Sequence, residues 1–151
     1  MRLTSIVLFV ALPAFAADPS GFALWTAGEL KQMDHALSQK VDNQKFASKP
    51  LERFGNHYTM LAHREGNGSA ELHETEADLF VVESGNATLV VGGEIVGAKT
   101  TAPNEVRGTS IKNGSEHKIG PGDIVHIPPK TPHQLLLSGK SFSYFVLKVV
   151  E

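Results

Sequence analysis

The sequence predicts an all-β fold, a small antiparallel β-barrel or double-sheet jelly roll preceded by one α-helix. From Asn56 onward, apolar and polar residues alternate with a period of two over short segments, which is the pattern of half-buried β-strands. Turn residues separate these segments at close spacing, as in barrels and jelly rolls. A clear helical period occurs only before them, so we expect eight or more strands behind a single helix.

The helix is predicted over residues 27–41. Thr26 and Glu29 have the spacing of a capping box, in which a hydroxyl and a carboxylate satisfy free backbone donors at a helix start. Apolar residues then follow at helical spacing, namely Leu30, Met33, Leu37 and Val41. We therefore assign residues 17–50 to an N-terminal helical segment and residues 51–151 to the barrel domain.

The strands are predicted from the alternating segments, which are residues 57–64, 79–83, 87–91, 94–96, 118–119, 124–127, 134–137 and 142–149. Ser84-Gly85-Asn86 is typical of a tight hairpin between two of them. Residues 97–114 are rich in Thr, Gly and Asn and have no clear period. We expect a long loop with short strand fragments there, as a candidate lid over the barrel mouth.

Length, charge and cysteine content limit the classes of function. The 151 residues suit one domain. A formal charge of −2 without a basic stripe gives no support for nucleic acid binding. Cysteine is absent, so a metal would have to be bound by histidine and carboxylate, and the core itself must provide the stability. The sequence also contains no phosphate-binding glycine loop and no Gly-x-Ser-x-Gly nucleophile elbow.

The first sixteen residues have the pattern of a cleavable signal peptide. Arg2 precedes an apolar core from Ile6 to Leu12, and Ala14-Phe15-Ala16 fits the small-x-small cleavage site. An apolar stretch of about ten residues is too short to span a bilayer. We expect a secreted or periplasmic protein whose mature chain begins at Ala17 and does not enter a membrane.

The segment from Glu71 to Gly85 contains three candidate metal ligands. Glu71 and His73 are two residues apart, so on a strand they project to the same face. Asp78 follows after a short turn, at the start of the next predicted strand. These side chains can therefore converge on one point.

The segment from Gly122 to His133 contributes a fourth candidate. His133 follows a stretch that Pro128, Pro129 and Pro132 stiffen, and it begins a predicted strand. Two imidazoles with one or two carboxylates suit Fe(II), Mn(II), Zn(II) or Ni(II). The set includes the two-histidine, one-carboxylate arrangement of non-haem iron oxygenases.

The first segment resembles the first motif of the cupin superfamily, Gly-x5-His-x-His-x3-4-Glu-x6-Gly. Counted back from Gly85, the acidic position is Asp78, the second histidine is His73 and the first histidine is replaced by Glu71. The leading glycine position is occupied by Glu65. Of the three ligand positions in this motif, His73 matches in kind, Asp78 keeps an acidic residue and Glu71 replaces a histidine.

The second segment resembles the second cupin motif, Gly-x5-Pro-x-Gly-x2-His-x3-Asn. Gly122, Pro128 and His133 match it in register. Lys130 replaces the inner glycine and Leu137 replaces the final asparagine. Both motifs together span residues 71–137.

The resemblance implies a cupin-like double-stranded β-helix with a divalent transition metal (Fe, Mn, Zn or Ni) bound by Glu71, His73, Asp78 and His133. It further implies a small-molecule ligand or substrate inside the barrel, with metal-dependent oxygenase or isomerase chemistry as one interpretation. The alternative is a non-catalytic module that binds a small molecule or sugar, with or without a metal. One carboxylate could also act as a base or support a ligand, and Glu74 and Glu76, expected to face solvent, are second-choice acidic ligands.

Three further histidines and the outer surface complete the expectations. His57 and His63 share a strand face and could line the cavity or be hydrogen-bonded, whereas His126 is expected to be a structural histidine. Residues 80–82 and 89–91 are apolar on both faces. The N-terminal helix or a second subunit should therefore cover the outside of the barrel, and we expect a homodimer.

Overall fold

The computed structural model describes residues 17–151, and the predicted signal peptide at residues 1–16 lies outside the described residues. The described chain forms one helix and eleven strands. They are α1 (Ala27–Ser38), β1 (Phe46–Phe54), β2 (His57–Arg64), β3 (Ala70–His73), β4 (Glu76–Val91), β5 (Glu94–Val96), β6 (Lys99–Ala102), β7 (Glu105–Gly108), β8 (Ser110–Lys112), β9 (Ser115–Ile119), β10 (Ile124–Ile127) and β11 (His133–Val150). In this part of the chain, no helix is long and apolar enough to cross a membrane.

Two long antiparallel strands, β4 and β11, form the centre of the sheet. Their pairing runs from Glu76 opposite Val150 to Val91 opposite His133. One half of this pair is extended by β2, β1 and β10, and the other half by β3, β7, β6 and β9. Residues of both halves meet in one apolar core that includes Phe80, Leu89 and Tyr144. This arrangement is the all-β double-stranded β-helix that the motifs predict.

The predicted hairpin at Ser84-Gly85-Asn86 is wrong, because β4 continues through it as a single bent strand. Gly85 has a φ of 77° and lies opposite Phe142 on β11. The register of the two strands shifts on β11 between Leu137 and Phe142, opposite this bend. A glycine with positive φ and an irregular partner strand let the sheet fold over without a turn. The two predicted strands at residues 134–137 and 142–149 likewise form one strand.

The N-terminal helix covers the outer face of β1, β2 and β11. Its predicted capping box between Thr26 and Glu29 is present. Leu30 and Leu37 pack with Leu61 of β2, and the Trp25 ring lies 5.5 Å from the Phe145 ring. The helix ends at Ser38, three residues earlier than predicted, although Val41 still packs against the same cluster.

Two segments are more ordered than predicted. Residues 97–114, which we expected to be a long loop with short strand fragments, form the three short strands β6, β7 and β8 with only brief connections between them. β1 starts at Phe46 and therefore crosses residue 51, where we placed the start of the barrel. Pro50 lies inside β1 opposite Met60, which is acceptable because β1 is an edge strand whose register shifts just after Pro50.

The bend at Gly85 gives a test of the fold. A Cβ on Gly85 would overlap the backbone oxygen of Ser141, whereas Gly92 has a similar φ of 75° and nothing within 4 Å of its Cβ position. An alanine would therefore strain the backbone similarly at either position, and only Gly85→Ala would also clash with the Ser141 backbone. We expect Gly85→Ala to lower the free energy of unfolding by about 3 kcal/mol or more, and Gly92→Ala by about 1 kcal/mol. Equal losses in urea denaturation would contradict the bent-strand arrangement.

Candidate metal centre

Strand pairing brings the four predicted ligand residues together. β3 carries Glu71 and His73, and Glu71 lies opposite His133 of β11. Asp78 enters from β4, two residues after the start of that strand at Glu76, which follows the Glu74-Thr75 turn. The side chains of His73, Asp78 and His133 are buried, and Glu71 is half-buried. They line one end of the barrel interior.

The distances between these side chains fit ligands that share one ion. Asp78 Oδ2 lies 3.3 Å from His73 Nε2 and 3.4 Å from His133 Nε2. Glu71 Oε1 lies 3.3 Å from His133 Nε2. Ligand atoms of Glu71, His73 and His133 all lie within 4.8 Å of one another. With bonds of about 2.1 Å, neighbouring ligands are separated by about 3.0 Å in an octahedron and about 3.4 Å in a tetrahedron.

Both histidines have the tautomer that a metal requires. His73 Nδ1 donates to Glu105 Oε1 over 2.5 Å, and His133 Nδ1 donates to the carbonyl oxygen of Thr131 over 3.0 Å. An ionised carboxylate and a carbonyl can only accept, so each Nδ1 carries a proton. A neutral imidazole then has its lone pair on Nε2. Both Nε2 atoms are buried and have no hydrogen-bond partner among residues 17–151.

Two basic side chains hold the carboxylates from behind. Lys148 Nζ lies 2.6 Å from Asp78 Oδ1, because the two residues are opposite each other on β11 and β4. Arg107 donates to Glu71 and, over 3.0 Å, to Glu105 Oε2. Burial raises the pKa of Asp78, but in the metal-free site protons on Nε2 of His133 and His73, 3.4 and 3.3 Å from Asp78 Oδ2, and the charge of Lys148 outweigh it. The pKa of Asp78 therefore lies well below its usual range.

Glu76 is part of the same network, contrary to our expectation that it faces solvent. Glu74 and Glu76 are both half-buried. Glu76 accepts a hydrogen bond from the Tyr58 hydroxyl at 3.0 Å and lies 3.6 Å from Lys148 Nζ. Burial and then this hydrogen bond raise the pKa of Tyr58 well above its usual range. Glu76 also forms a second close set with His73 and Glu105, but its oxygens already have these partners.

Charge balance favours a divalent cation. The carboxylates of Glu71, Glu76, Asp78 and Glu105 surround the site, and Arg107 and Lys148 neutralise two of them. With neutral imidazoles, two negative charges remain in a buried place, where unpaired charge is costly. One divalent cation would neutralise both. Nitrogen and oxygen donors suit Fe, Mn, Zn or Ni.

A cavity of about 510 Å³ opens beside these side chains. One wall carries Glu71, His73, Asp78 and Lys148, and an apolar and aromatic surface is formed by Phe46, Met60, Ala62, Phe80, Tyr144 and Val146. The rest of the lining is polar, with Gln44, Arg64, Asn67, Ser69, Thr101 and Arg107. Apolar surface with converging polar groups is typical of small-molecule sites. The cavity is large enough for a metabolite-sized organic molecule.

Four side chains that shape this site were not predicted from the sequence. Glu105 and Arg107 lie in the segment predicted as a loop, although their spacing of two would have placed them on one strand face. Arg64 follows Met60 and Ala62 on the cavity face of β2 by simple alternation. Lys148 could have been found in the same way, because it shares strand parity with Tyr144.

His57, His63 and His126 lie outside the cavity. His63 is buried under α1, where its Nδ1 lies 2.6 Å from Asp34 Oδ1. His57 is half-buried and stacks on Phe54 with ring centres 5.0 Å apart. The expectation that His126 is a structural histidine is wrong, because it is exposed on the outer face of β10.

The inner glycine position of the second cupin motif keeps its backbone conformation. Lys130 has a φ of 60°, in the left-handed region that glycine adopts without penalty. Its N–H donates to the carbonyl oxygen of His73 over 2.7 Å. The replacement therefore preserves the turn that ties the second motif to β3.

No protein-family model matches the sequence, and no curated protein matches it. Solved structures do resemble it. A Klebsiella pneumoniae protein with a double-stranded β-helix domain gives a TM-score of 0.53 at 18% identity, over 72% of this chain and 80% of that one. The DMSP lyase DddQ from Ruegeria pomeroyi gives a TM-score of 0.51 at 17% identity, over 71% of this chain and 48% of that one.

A cupin 2 conserved barrel domain protein from Salinispora arenicola gives a TM-score of 0.50 at 16% identity, over 72% of this chain and 78% of that one. At these identities the likeness concerns the fold. The chain therefore has the double-stranded β-helix fold of the cupin superfamily, as the two motifs predict.

Lys148 offers a test of the electrostatic network in metal-free protein. Lys148→Met removes the ammonium group beside a carboxylate that is 2% exposed, so we expect the free energy of unfolding to fall by about 3 kcal/mol. Lys118→Met, at an exposed position on β9, should change it by less than about 0.5 kcal/mol.

The pH dependence follows from the lowered pKa of Asp78. The native state binds fewer protons than the unfolded chain, so this stabilisation is present above about pH 4 and is lost as the pH falls. In Lys148→Met the pKa of Asp78 is lowered less, so the stability lost on acidification should be smaller than in the wild type. Equal behaviour of the two lysine variants in urea titrations would contradict the network.

Proposed function

We propose that this chain is a secreted or periplasmic metal-binding cupin that acts on a small organic molecule inside its barrel. His73, His133, Asp78 and Glu71 would bind the metal. The observation that carries the proposal is the pair of buried Nε2 atoms, because both face carboxylate oxygens 3.3 to 3.4 Å away. Two neutral imidazoles in this position would place acceptor against acceptor unless a cation lies between them.

The surrounding side chains support the ligands. Glu105 and the Thr131 carbonyl would keep Nε2 of His73 and His133 unprotonated and correctly oriented. Arg107 holds one oxygen of Glu71, so the other is presented towards His133. Glu71, the half-buried member, could instead serve as a general base, which keeps both roles of this carboxylate open.

A bound divalent metal would supply Lewis-acid polarisation of a substrate oxygen at this wall of the cavity. The chain itself would contribute the apolar walls, which exclude water and hold the body of the molecule. The double-stranded β-helix fold also occurs in a protein named as a DMSP lyase, so catalysis on a small molecule is compatible with it. We propose a metal-dependent enzyme, with oxygenase or isomerase chemistry as candidates.

The alternative is a non-catalytic binding module, and one observation favours its metal-free form. The same 3.3 to 3.4 Å distances would suit salt bridges from protonated His73 and His133 to Asp78 and Glu71. In that case two protons would replace the divalent cation in the charge balance. Metal content therefore separates the two forms of the site.

Metal binding gives the first test. Purified mature protein, offered Fe, Mn, Zn or Ni and then dialysed, should retain about one ion per chain by mass spectrometry. His73→Ala and His133→Ala should lose it, and Glu105→Gln should weaken affinity about 10- to 100-fold by freeing His73 Nδ1. His126→Ala is the matched control, because His126 is exposed and outside the cavity.

A folded wild-type protein that retains none of the four metals would sink the metal-dependent proposal. If metal is retained, oxygen consumption and product formation across a panel of phenols, thiols and sugars separate enzyme from binder. An enzyme should lose turnover in Asp78→Asn. A binder should show saturable binding without turnover.

We also propose export and dimerisation, each on its own observation. Residues 1–16 carry the signal-peptide pattern, so protein recovered from outside the cytoplasm should begin at Ala17 by N-terminal sequencing.

Beyond the helix, the outer face of β4 and β10 shows half-buried Leu79 and Val81 beside Ile124, which is 68% exposed. A dimer through this apolar strip should become a monomer in Ile124→Lys by light scattering. An uncleaved N-terminus would contradict export, and a monomeric wild type would contradict dimerisation.

A further inference from the structure

The cavity contains one basic side chain that the candidate metal centre does not use. Arg64, the last residue of β2, is 8% exposed and lines the cavity. Its Nε donates to the Tyr144 hydroxyl oxygen over 3.0 Å. Within residues 17–151, no carboxylate oxygen lies within 4.0 Å of its guanidinium nitrogens.

The guanidinium is held in place by packing rather than by an ion pair. Its carbon lies 4.4 Å from the centre of the Phe46 ring. Gly68 passes so close that a Cβ there would lie 3.2 Å from the guanidinium carbon. Arginine stays charged in proteins, and a buried charge without a counter-ion is unfavourable. A pre-positioned, unpaired cation facing a cavity is therefore an anion-binding group.

The electrostatic surroundings agree with this interpretation. With a divalent cation bound as proposed, that cation and the two basic side chains would balance the four carboxylates of the metal centre, and the positive charge of Arg64 would remain without a counter-ion in the cavity. Arg107 lines the same cavity but is already paired with Glu71 and Glu105, so it differs from Arg64 in having carboxylate partners.

Tyr144 supplies a second polar group at the same place. Its hydroxyl oxygen accepts from Arg64, so its own proton remains available for another acceptor. The ring is fixed by Phe80 and Phe142, with ring centres 5.0 and 5.1 Å away. A guanidinium fork with an adjacent phenol matches the two oxygens of a carboxylate.

We propose that Arg64 and Tyr144 bind the carboxylate of a small organic acid with an apolar body. This inference rests on the proposed function for the other end of the molecule, which would face Glu71, His73, Asp78 and His133. Met60, Phe80 and Val146 lie between the two ends along the paired strands, and Phe46 lies beside Arg64. One guanidinium and one phenol suit a singly charged carboxylate better than a doubly charged phosphate.

Benzoate and its neutral isostere benzamide test the subsite by titration calorimetry, with metal-loaded and chelator-treated protein. Wild type should bind benzoate at least about tenfold more tightly than benzamide. Arg64→Gln should weaken benzoate binding by at least about tenfold and leave benzamide unchanged, with Arg64→Lys in between. Arg53→Gln is the matched control, because Arg53 is exposed on β1 and lies outside the cavity.

Tyr144→Phe keeps the ring packing and covers the case in which Arg64→Gln does not fold. It should weaken benzoate binding by about threefold, because the carboxylate loses one donor and Arg64 loses its acceptor. Affinity for benzoate that is unchanged in Tyr144→Phe, or equal in wild type and a folded Arg64→Gln, would overturn the inference. So would the absence of saturable benzoate binding up to about 10 mM.

Metal content measured on the same samples separates this inference from the proposed function. Arg64→Gln should retain the wild-type metal content, because Arg64 touches none of the proposed ligands. Arg64-dependent benzoate binding in a protein that holds no metal would overturn the metal proposal and support the carboxylate subsite. Full metal content without Arg64-dependent benzoate binding would support the metal proposal and overturn the carboxylate subsite.

Discussion

The antiparallel pairing of β4 with β11 is the constraint on which the rest of the structure depends. It places Asp78 opposite Lys148, so a buried carboxylate has a cation beside it before any metal is considered. The far end of β11 then brings His133 against Glu71 of β3. Between these ends, the same two strands supply Phe80, Tyr144 and Val146 to the cavity. One pairing register thus defines both the polar wall and the apolar walls.

The chemistry of the site follows from the contacts that the two nitrogens of His73 and of His133 make. Each uses Nδ1 to donate to an oxygen, and each presents Nε2 to a carboxylate in a buried place. That arrangement needs positive charge at one point, either as a divalent cation or as two protons. Arg64 lies outside this charge balance and faces the cavity without a carboxylate partner, so the cavity has two polar ends that differ in composition. A metal bound at one end, and Arg64 with Tyr144 binding a ligand carboxylate at the other, would orient an organic acid between them.

Counting the motifs predicts the four residues of the centre, because the spacing from Gly85 places Asp78, His73 and Glu71 in one register. The capping box likewise predicts the helix start, since both partners are local in sequence. The features that the sequence patterns did not predict depend on pairing with residues far along the chain. The segment around Glu105 has no local apolar period, because its order comes from pairing with β3. The bend at Gly85 has the residues of a hairpin, and only the continuous partner strand shows that it is not one.

Anomalous diffraction from crystals of metal-loaded protein, collected at the absorption edge of the bound metal, would locate the ion itself. We expect one anomalous peak within about 2.0 to 2.3 Å of Nε2 of both His73 and His133 and of an oxygen of Asp78. Such a peak should vanish in crystals of His133→Ala. A map with no peak in this place, or with the metal bound elsewhere on the chain, would rule out the proposed centre and favour protonated histidines in a metal-free barrel.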